Sequence, residues 1–403
     1  MIGANTAVLG AELFAAIRTM TELGFPTIEI HPMGRPEATP NRFPGFEWDK
    51  LDASARRDLR QALRPFRTVT THLPYTGLNY IDRDAAKRAF DAMLEDEQMA
   101  FLGLRGLIGQ ALRESDQAKA LAYAERAFKL RPQTPWVVHS LFDMQAQVGQ
   151  WKAAQETLDT GLRRKVVTQD KGRTLKALLL VERSREAERE GRASDALALA
   201  REAFGLAPER IAVTHQFARL QLAAGEPKKA LKTVERGWAL APHPDLVTLY
   251  LEASGETEAL KRVGVVRRLA GQNPTDIESH LALAQVSLDA GLWGEARRHL
   301  DAAAGTNPPV RVCRLMAEVE ERAQSGQEKV HEWLARAADA PADRAWRCGA
   351  CGAHHEAWRP VCESCGAFGT LQWRAPGTYG QILPPETRPA AALPTPATTT
   401  NTT

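Results

Sequence analysis

The sequence predicts a mainly α-helical protein: a superhelical solenoid of paired helices, preceded by a short α/β fragment and followed by a small four-cysteine ribbon. Three observations lead there. Proline and glycine landmarks recur about every 34 residues through the middle of the chain, strand-type runs give way to helical periodicity after residue 82, and four of the five cysteines fall between positions 348 and 365. The composition agrees. With 403 residues, 44% of them hydrophobic and 25% charged, the chain has the make-up of an ordinary globular protein with enough material for a core. Lys and Arg number 52 against 49 Asp and Glu, for a net charge of +3, which is too even for a dedicated nucleic-acid binder. No stretch approaches 18 consecutive apolar residues, and Glu12 precedes the first basic residue, Arg18. Neither a membrane-spanning helix nor a signal peptide is expected, so the expected location is cytoplasmic, with membrane association only through a partner.

Residues 1–82 read as βα units. Thr27–Ile30 and Thr68–Thr71 are β-type runs, each following a helical stretch, 11–23 and 51–66. Between them, Pro32, Pro36, Pro40 and Pro44 with Gly34 and Gly45 mark a long loop.

From residue 83 to about 342 the pattern is helical and repeats. Prolines that close a helix pair fall at Pro132, Pro208, Pro242, Pro274 and Pro308, with gaps of 76, 34, 32 and 34 residues. Small residues precede four of them by twelve and five positions, as Ala120 and Ala127, Ala196 and Ala203, Ala230 and Gly237, and Ala296 and Ala303. Turn residues between paired helices recur at Ser115, Gly149, Gly191, Gly225, Gly291 and Gly326. This phase resembles that of tetratricopeptide (TPR) repeats, in which small residues let paired helices approach and glycine releases the turn. Six or seven repeats are expected. The 76-residue interval is about eight residues too long, and the sequence from Arg163 through Asp170 is the expected place of an inserted loop. The tryptophans Trp136, Trp151, Trp238, Trp293 and Trp333 read as core, and Cys313 as a buried inert thiol. A solenoid of this kind offers an extended surface for a partner's segment, so binding of protein partners in the groove is expected, without catalysis.

Residues 343–375 carry the chemistry. Cys348, Cys351, Cys362 and Cys365 form two CxxCG knuckles separated by nine residues. Each knuckle turns two thiolates toward one ion, and glycine permits the left-handed turn, so two knuckles make a tetrahedral four-sulfur site. Two disulfides are the rival pairing, which a reducing compartment opposes. Zn²⁺ is expected, with Fe possible in the same tetrahedron, and a site closed by four cysteines is structural. Trp346, Trp358 and Trp373 are expected to cover it, and His354 and His355 read as exposed loop bystanders. A module of about 30 residues needs the ion for much of its folding free energy. The tail, 376–403, is rich in Pro, Ala and Thr and is expected to be disordered.

Whole phrases carry a resemblance. Ala89-Phe90 leading into Leu94-Glu95-Asp96, the run from Ala100 to Leu107, Arg131-Pro132 with Thr134-Pro135-Trp136, and Val312 to Glu318 make residues 84–375 similar to the alphaproteobacterial HemY family of TPR proteins. The resemblance implies a TPR superhelix ending in a rubredoxin-like zinc ribbon and a link to haem and porphyrin metabolism at the inner membrane, with no catalytic residue to carry over. The architecture also resembles TPR proteins with a rubredoxin-like domain that act in lipopolysaccharide assembly. Residues 1–82 resemble the start of xylose-isomerase-like sugar phosphate isomerase and epimerase barrels, through Glu22-Leu23-Gly24-Phe25, Ile28-Glu29-Ile30-His31 and Thr71-His72-Leu73-Pro74-Tyr75 with Asn79. That resemblance implies a metal ligand at His72 and, as the alternative function, a metal-dependent isomerase with a helical extension. A closed barrel needs eight strands and about 250 residues, whereas helices begin here after about three βα units, so His72 and Glu29 read as vestigial.

Overall fold

The computed structural model describes residues 4–5, 13–23, 27–30, 53–66, 68–71, 83–97 and 99–376. These divide into two compact units, with the boundary between Leu130 and Arg131. The expected loop at 32–47, His72, and the tail from 377 onward lie outside the described residues.

The first unit opens with a parallel sheet of β1 (Ala4–Asn5), β2 (Thr27–Ile30) and β3 (Thr68–Thr71), in that order, with Ile28 opposite both Ala4 and Val69. Helices α1 (Leu13–Glu22) and α2 (Ala53–Leu63) connect the strands and pack on each other. Among the described residues the sheet has three strands, against the eight of a closed barrel. Glu29 lies on β2. The unit continues with α3 (Arg83–Met93), α4 (Ala100–Arg113) and α5 (Gln117–Leu130). Gly106 of α4 lies under the Phe90 ring, where an added Cβ would sit 2.4 Å from a ring carbon.

The second unit is a run of helical hairpins: α6 (Pro135–Gln147) with α7 (Trp151–Arg163), α8 (Gln169–Arg189) with α9 (Ala193–Leu206), and α10 (Ile211–Ala223) with α11 (Pro227–Leu240). It continues with α12 (Pro244–Ser254) and α13 (Ala259–Ala270), α14 (Ile277–Asp289) and α15 (Trp293–Ala304), and α16 (Val310–Arg322) and α17 (Gln327–Asp339). With α4 and α5, the described residues hold seven hairpins. The first helices from α8 to α16 touch one another along the stack more than the second helices do, so their side is the inside of the curve.

The repeat landmarks have a common geometry. All six expected turn residues have positive φ, from 58° at Ser115 to 104° at Gly326, and glycine reaches that region without a Cβ clash. A seventh, Gly255 at φ 66°, closes the turn between α12 and α13, 30 residues after Gly225 and therefore short of the 34-residue period. Of the small residues, Ala120, Ala127, Ala196, Ala203, Ala230 and Ala296 are fully buried, and only Ala303 is half-exposed. A polar lock recurs with them: Thr157 donates to Gln145 at 2.7 Å and Thr233 to Gln221 at 2.7 Å, each across twelve residues.

Two expectations are corrected. The extra residues of the 76-residue interval do not form a loop; they lengthen α8 to 21 residues, where α10 and α14 have 13. Residues 164–168 do make a turn between α7 and α8, no longer than the one between α13 and α14, and the added length lies in α8, which is rich in the good helix formers Leu, Ala, Arg and Glu. The tryptophans are not uniformly core. Trp238 is fully buried and donates to Ser279 at 3.0 Å, whereas Trp136, Trp151, Trp293 and Trp333 are half-exposed. Cys313 is fully buried with its thiol toward the Pro308 carbonyl, and burial pushes its pKa up, as an inert thiol requires.

The close approach of α11 to α10 is testable. At Gly237 an added Cβ would meet the Thr214 side chain at 2.3 Å, and Ala230 is fully buried. Gly237→Ala and Ala230→Leu are each expected to cost roughly 1–3 kcal/mol by overpacking. Chemical denaturation of the full chain measures this, with Gly205→Ala as the control because its Cβ would meet nothing.

Candidate metal centre and its seat on the solenoid

The last strands form an antiparallel sheet in the order β5 (His354–His355), β4 (Ala345–Cys348), β6 (Leu371–Arg374). Trp346 pairs with His355 on one side and Trp373 on the other, and Cys348 pairs with Leu371. The two cysteine knuckles repeat one geometry. Gly352 N–H donates to the Cys348 carbonyl at 2.9 Å and Gly366 N–H to the Cys362 carbonyl at 2.8 Å, with φ of 78° and 68° at the glycines. Such turns present backbone amides to sulfur, and Ala350 N–H lies 3.3 Å from Cys348 Sγ.

All four sulfurs lie within 4.8 Å of one another. Cys348 and Cys365 are 3.7 Å apart, as are Cys351 and Cys362. A tetrahedral ion with bonds of about 2.3 Å separates its sulfurs by about 3.8 Å, whereas a disulfide needs about 2.05 Å. The donor set therefore fits a four-sulfur metal site. Cys348 and Cys362 are buried, Cys365 is half-buried and Cys351 faces outward. Burial raises the Cys348 thiol, but hydrogen bonds from Thr370 and from the Cys351 and Ala350 amides outweigh it and bring the pKa to about 7. Burial pushes Cys351 up to about 12 and raises Cys365 too.

His355 departs from the sequence reading. It is buried on β5 with Nε2 3.4 Å from Cys362 Sγ, while His354 is exposed. Alternation along the strand is the reason: one side chain faces the sulfurs and its neighbour faces water. Trp346 is 4% exposed and packs with Cys348, Cys362, Leu371 and the half-buried Trp358 and Trp373, so the expected indole cover is present.

That cover has a second face, which the sequence did not announce. The ribbon is seated on the inside of the hairpin stack. Phe368 meets Phe142 of α6 edge-on at 5.5 Å and Trp151 of α7 at 6.1 Å, and Gly369 approaches Leu178 of α8 closely enough that a Cβ would clash at 2.9 Å. Gln147 donates to the Gly366 carbonyl at 2.9 Å, and Arg210 to the carbonyls of Gly369 and Leu371 at 3.3 Å. This seat explains the all-apolar turn of α8. Residues Ala177 to Val181 are all buried because neighbouring helices cover the outer side and the ribbon covers part of the inner side.

The far end of the seat is polar. Trp373 Nε1 donates to Glu278 at 3.4 Å, and the 3%-exposed Glu278 carboxylate is paired with Arg311 at 3.0 Å. Arg344 forks onto Asp276 at 3.0 and 3.2 Å. Between these ends, His243 packs against Trp346 at 5.1 Å and Trp373 at 4.4 Å. Its Nδ1 accepts from Asp245 N–H at 3.1 Å and caps α12, which leaves the proton on a buried Nε2 without a polar partner.

The hairpins stack as a TPR-like solenoid whose inner face carries a four-cysteine ribbon. Residues 187–251 match the tetratricopeptide repeat family. The probable magnetosome protein Mms48 of Magnetospirillum gryphiswaldense is 30% identical over 268 residues, covering 63% of this chain and 57% of that protein, so the match spans little over half of this curated relative. A tetratricopeptide repeat protein from Parabacteroides merdae and the MamA protein are similar in structure at 13% identity, with TM-scores of 0.29 and 0.26. The alignments cover 63% and 56% of this chain and 93% and 95% of those chains. No helix among the described residues is long and apolar enough to cross a membrane.

His243 gives the seam a pH dependence. Burial lowers its pKa from 6.5 to about 4, opposed by Asp245 and assisted by Arg311 and by His215 when that ring is protonated. The unfolded chain takes up a proton near pH 6.5 and the native chain does not, so stability falls as pH drops from about 6.5 toward 4 and levels off below. His243→Asn keeps a capping acceptor without a titrating ring. Denaturation of the two metal-loaded proteins across this range is expected to show the steeper loss in the wild type.

Proposed function

We propose that the protein is a non-catalytic adaptor that binds protein partners on a surface shared between its TPR inner face and a zinc-stapled ribbon. The observation that carries this reading is the seating of the ribbon on the inner face from α6 to α16. A partner entering the groove meets ribbon and helices together. In this reading residues 83–342 are the binding solenoid, 343–375 the ribbon, and Cys348, Cys351, Cys362 and Cys365 hold Zn²⁺, with Fe as the alternative ion for the same sulfurs. The metal has no open coordination position, so it supplies folding free energy and not catalysis.

The resemblance of residues 84–375 to the HemY family supports placing this adaptor beside haem or porphyrin metabolism, in the cytoplasm, reaching the membrane through its partner. The second reading is a role beside a magnetosome component, favoured by the 30% identity to Mms48 over 268 residues. The lipopolysaccharide-assembly alternative shares the architecture, and the identity of the partner separates all three. The isomerase alternative needs ligands from several strand ends of a closed barrel, and Glu29 with His72 would supply two at most.

Two measurements test the proposal. Elemental analysis of freshly reduced protein is expected to give one zinc per chain. Cys351→Ser is expected to release it, shift the emission of Trp346 and Trp373 to the red, and leave the helical circular dichroism of the solenoid nearly intact, because each hairpin rests on its neighbours. A partner isolated from the native host and reconstituted from pure components should bind the wild type and lose affinity for Cys351→Ser. Equal binding to both would remove the ribbon from the partner surface.

A further inference from the structure

The edge of the seat is not closed. A half-open cleft of about 480 Å³ lies where the ribbon meets the turns that lead into α10, α12 and α14, within the size range of pockets that hold small ligands or a few side chains. Its walls are unlike the rest of the inner face. The indoles of Trp346, Trp358 and Trp373 line it together with Leu240 and Pro242, and three arginines, Arg210, Arg344 and Arg374, open onto it.

The arginines differ in how they are engaged. Arg344 is spent on Asp276, which also lines the cleft. Arg210 has no carboxylate partner among the described residues. It donates only through Nη2, to the Gly369 and Leu371 carbonyls at 3.3 Å, which leaves the N–H groups of Nη1 and Nε without an acceptor. Burial lowers its pKa, by lost hydration, and the charge of Glu209, which also lines the cleft, opposes this. A half-buried guanidinium that lines a cleft and has no carboxylate partner favours a bidentate anion, and the planar carboxylate fits that fork. Indole walls beside it suit an apolar or aromatic neighbour of that anion.

We propose that this cleft recognises an acidic peptide segment of a protein partner, with a carboxylate on Arg210 and the adjacent apolar side chain against the indoles of Trp346, Trp358 and Trp373. The inference rests on the adaptor reading and specifies the partner's chemistry. A peptide fits better than a free metabolite because the cleft is open along one side of a surface that runs on over successive repeats.

The experiment selects random linear decapeptides by display against the full metal-loaded chain, then remakes the selected peptides with Asn and Gln in place of Asp and Glu. Selected sequences should be enriched in Asp and Glu and bind at least about tenfold tighter than their amide counterparts, a difference of about 1.4 kcal/mol. Leu240, 53% exposed at the lip, tolerates substitution without disturbing the core. Leu240→Glu places a competing carboxylate there and should weaken the acidic peptides at least tenfold, with metal content and circular dichroism unchanged. Arg210→Gln should erase the preference for acid over amide, and hydrogen exchange in β4 and β6 reports whether the ribbon stays seated. Selected peptides without acidic enrichment, equal affinity for amide counterparts, indifference to Leu240→Glu, or binding of phosphatidylglycerol vesicles in place of peptides would each overturn the inference. Those outcomes leave the adaptor standing if the reconstituted partner still binds the wild type; failure of both assays discards the adaptor with it.

Discussion

The convergence of four sulfurs on one point is the constraint on which the rest of this structure depends. About 30 residues cannot bury enough apolar surface to hold a fold against their conformational entropy. The two knuckles fix β4 against β5 and β6 instead, and so fix Trp346 and Trp373 side by side, with ring centroids 5.7 Å apart. Those indoles, with Phe368, Leu371 and Trp358, form the ribbon's apolar contribution to the inner face. The same residues therefore close the sulfur site from one side and hold the solenoid from the other. Anything that loosens the sulfurs loosens the seat.

The seat combines two kinds of contact. At α6 to α8 it is apolar and close, with Phe142, Trp151 and Leu178 against Phe368 and Gly369. At α14 and α16 it is ionic, with Glu278 buried between Arg311 and Trp373. A buried ion pair adds little net stability, because desolvation offsets attraction, yet removing one partner leaves an uncompensated charge at a cost of several kcal/mol. The apolar end therefore supplies the larger share of the adhesion, and the ionic end fixes where along the stack the ribbon stops. A ribbon displaced by one repeat would strand Glu278 and the buried Nε2 of His243 without their indole neighbours.

The solenoid was legible in the sequence because its determinants are local. A turn glycine at φ near 75° and an alanine with no room for a larger side chain constrain residues within one hairpin, so they recur at the repeat period. Gly255 escaped because α12 is a short first helix and brings the turn early. The length of α8 was not legible in the proline spacing, because an interval gives a number of residues and not where they are added. The four-cysteine site was legible for a similar reason, since each knuckle is five residues long. The burial of His355 and the ribbon's place on the inner face were not. The contact of Gln147 with Gly366 spans 219 residues, and no periodicity links the two. One trace of it was present: the apolar run from Ala177 to Val181 encircles α8, as a surface helix would not.

Under the adaptor proposal, a ribbon folded by an ion and seated on a binding face would couple three equilibria. Metal binding favours the folded ribbon, the folded ribbon favours the seat, and a partner that touches ribbon and helices together favours all three. Linkage then runs both ways: the factor by which metal tightens partner binding is the factor by which the partner tightens metal binding. The stack itself takes little part in the coupling, because each hairpin is held by its neighbours and keeps its shape with the ribbon gone. The ribbon contacts that cover Phe142, Leu178 and His243 are then the part of the inner face that depends on the four sulfurs.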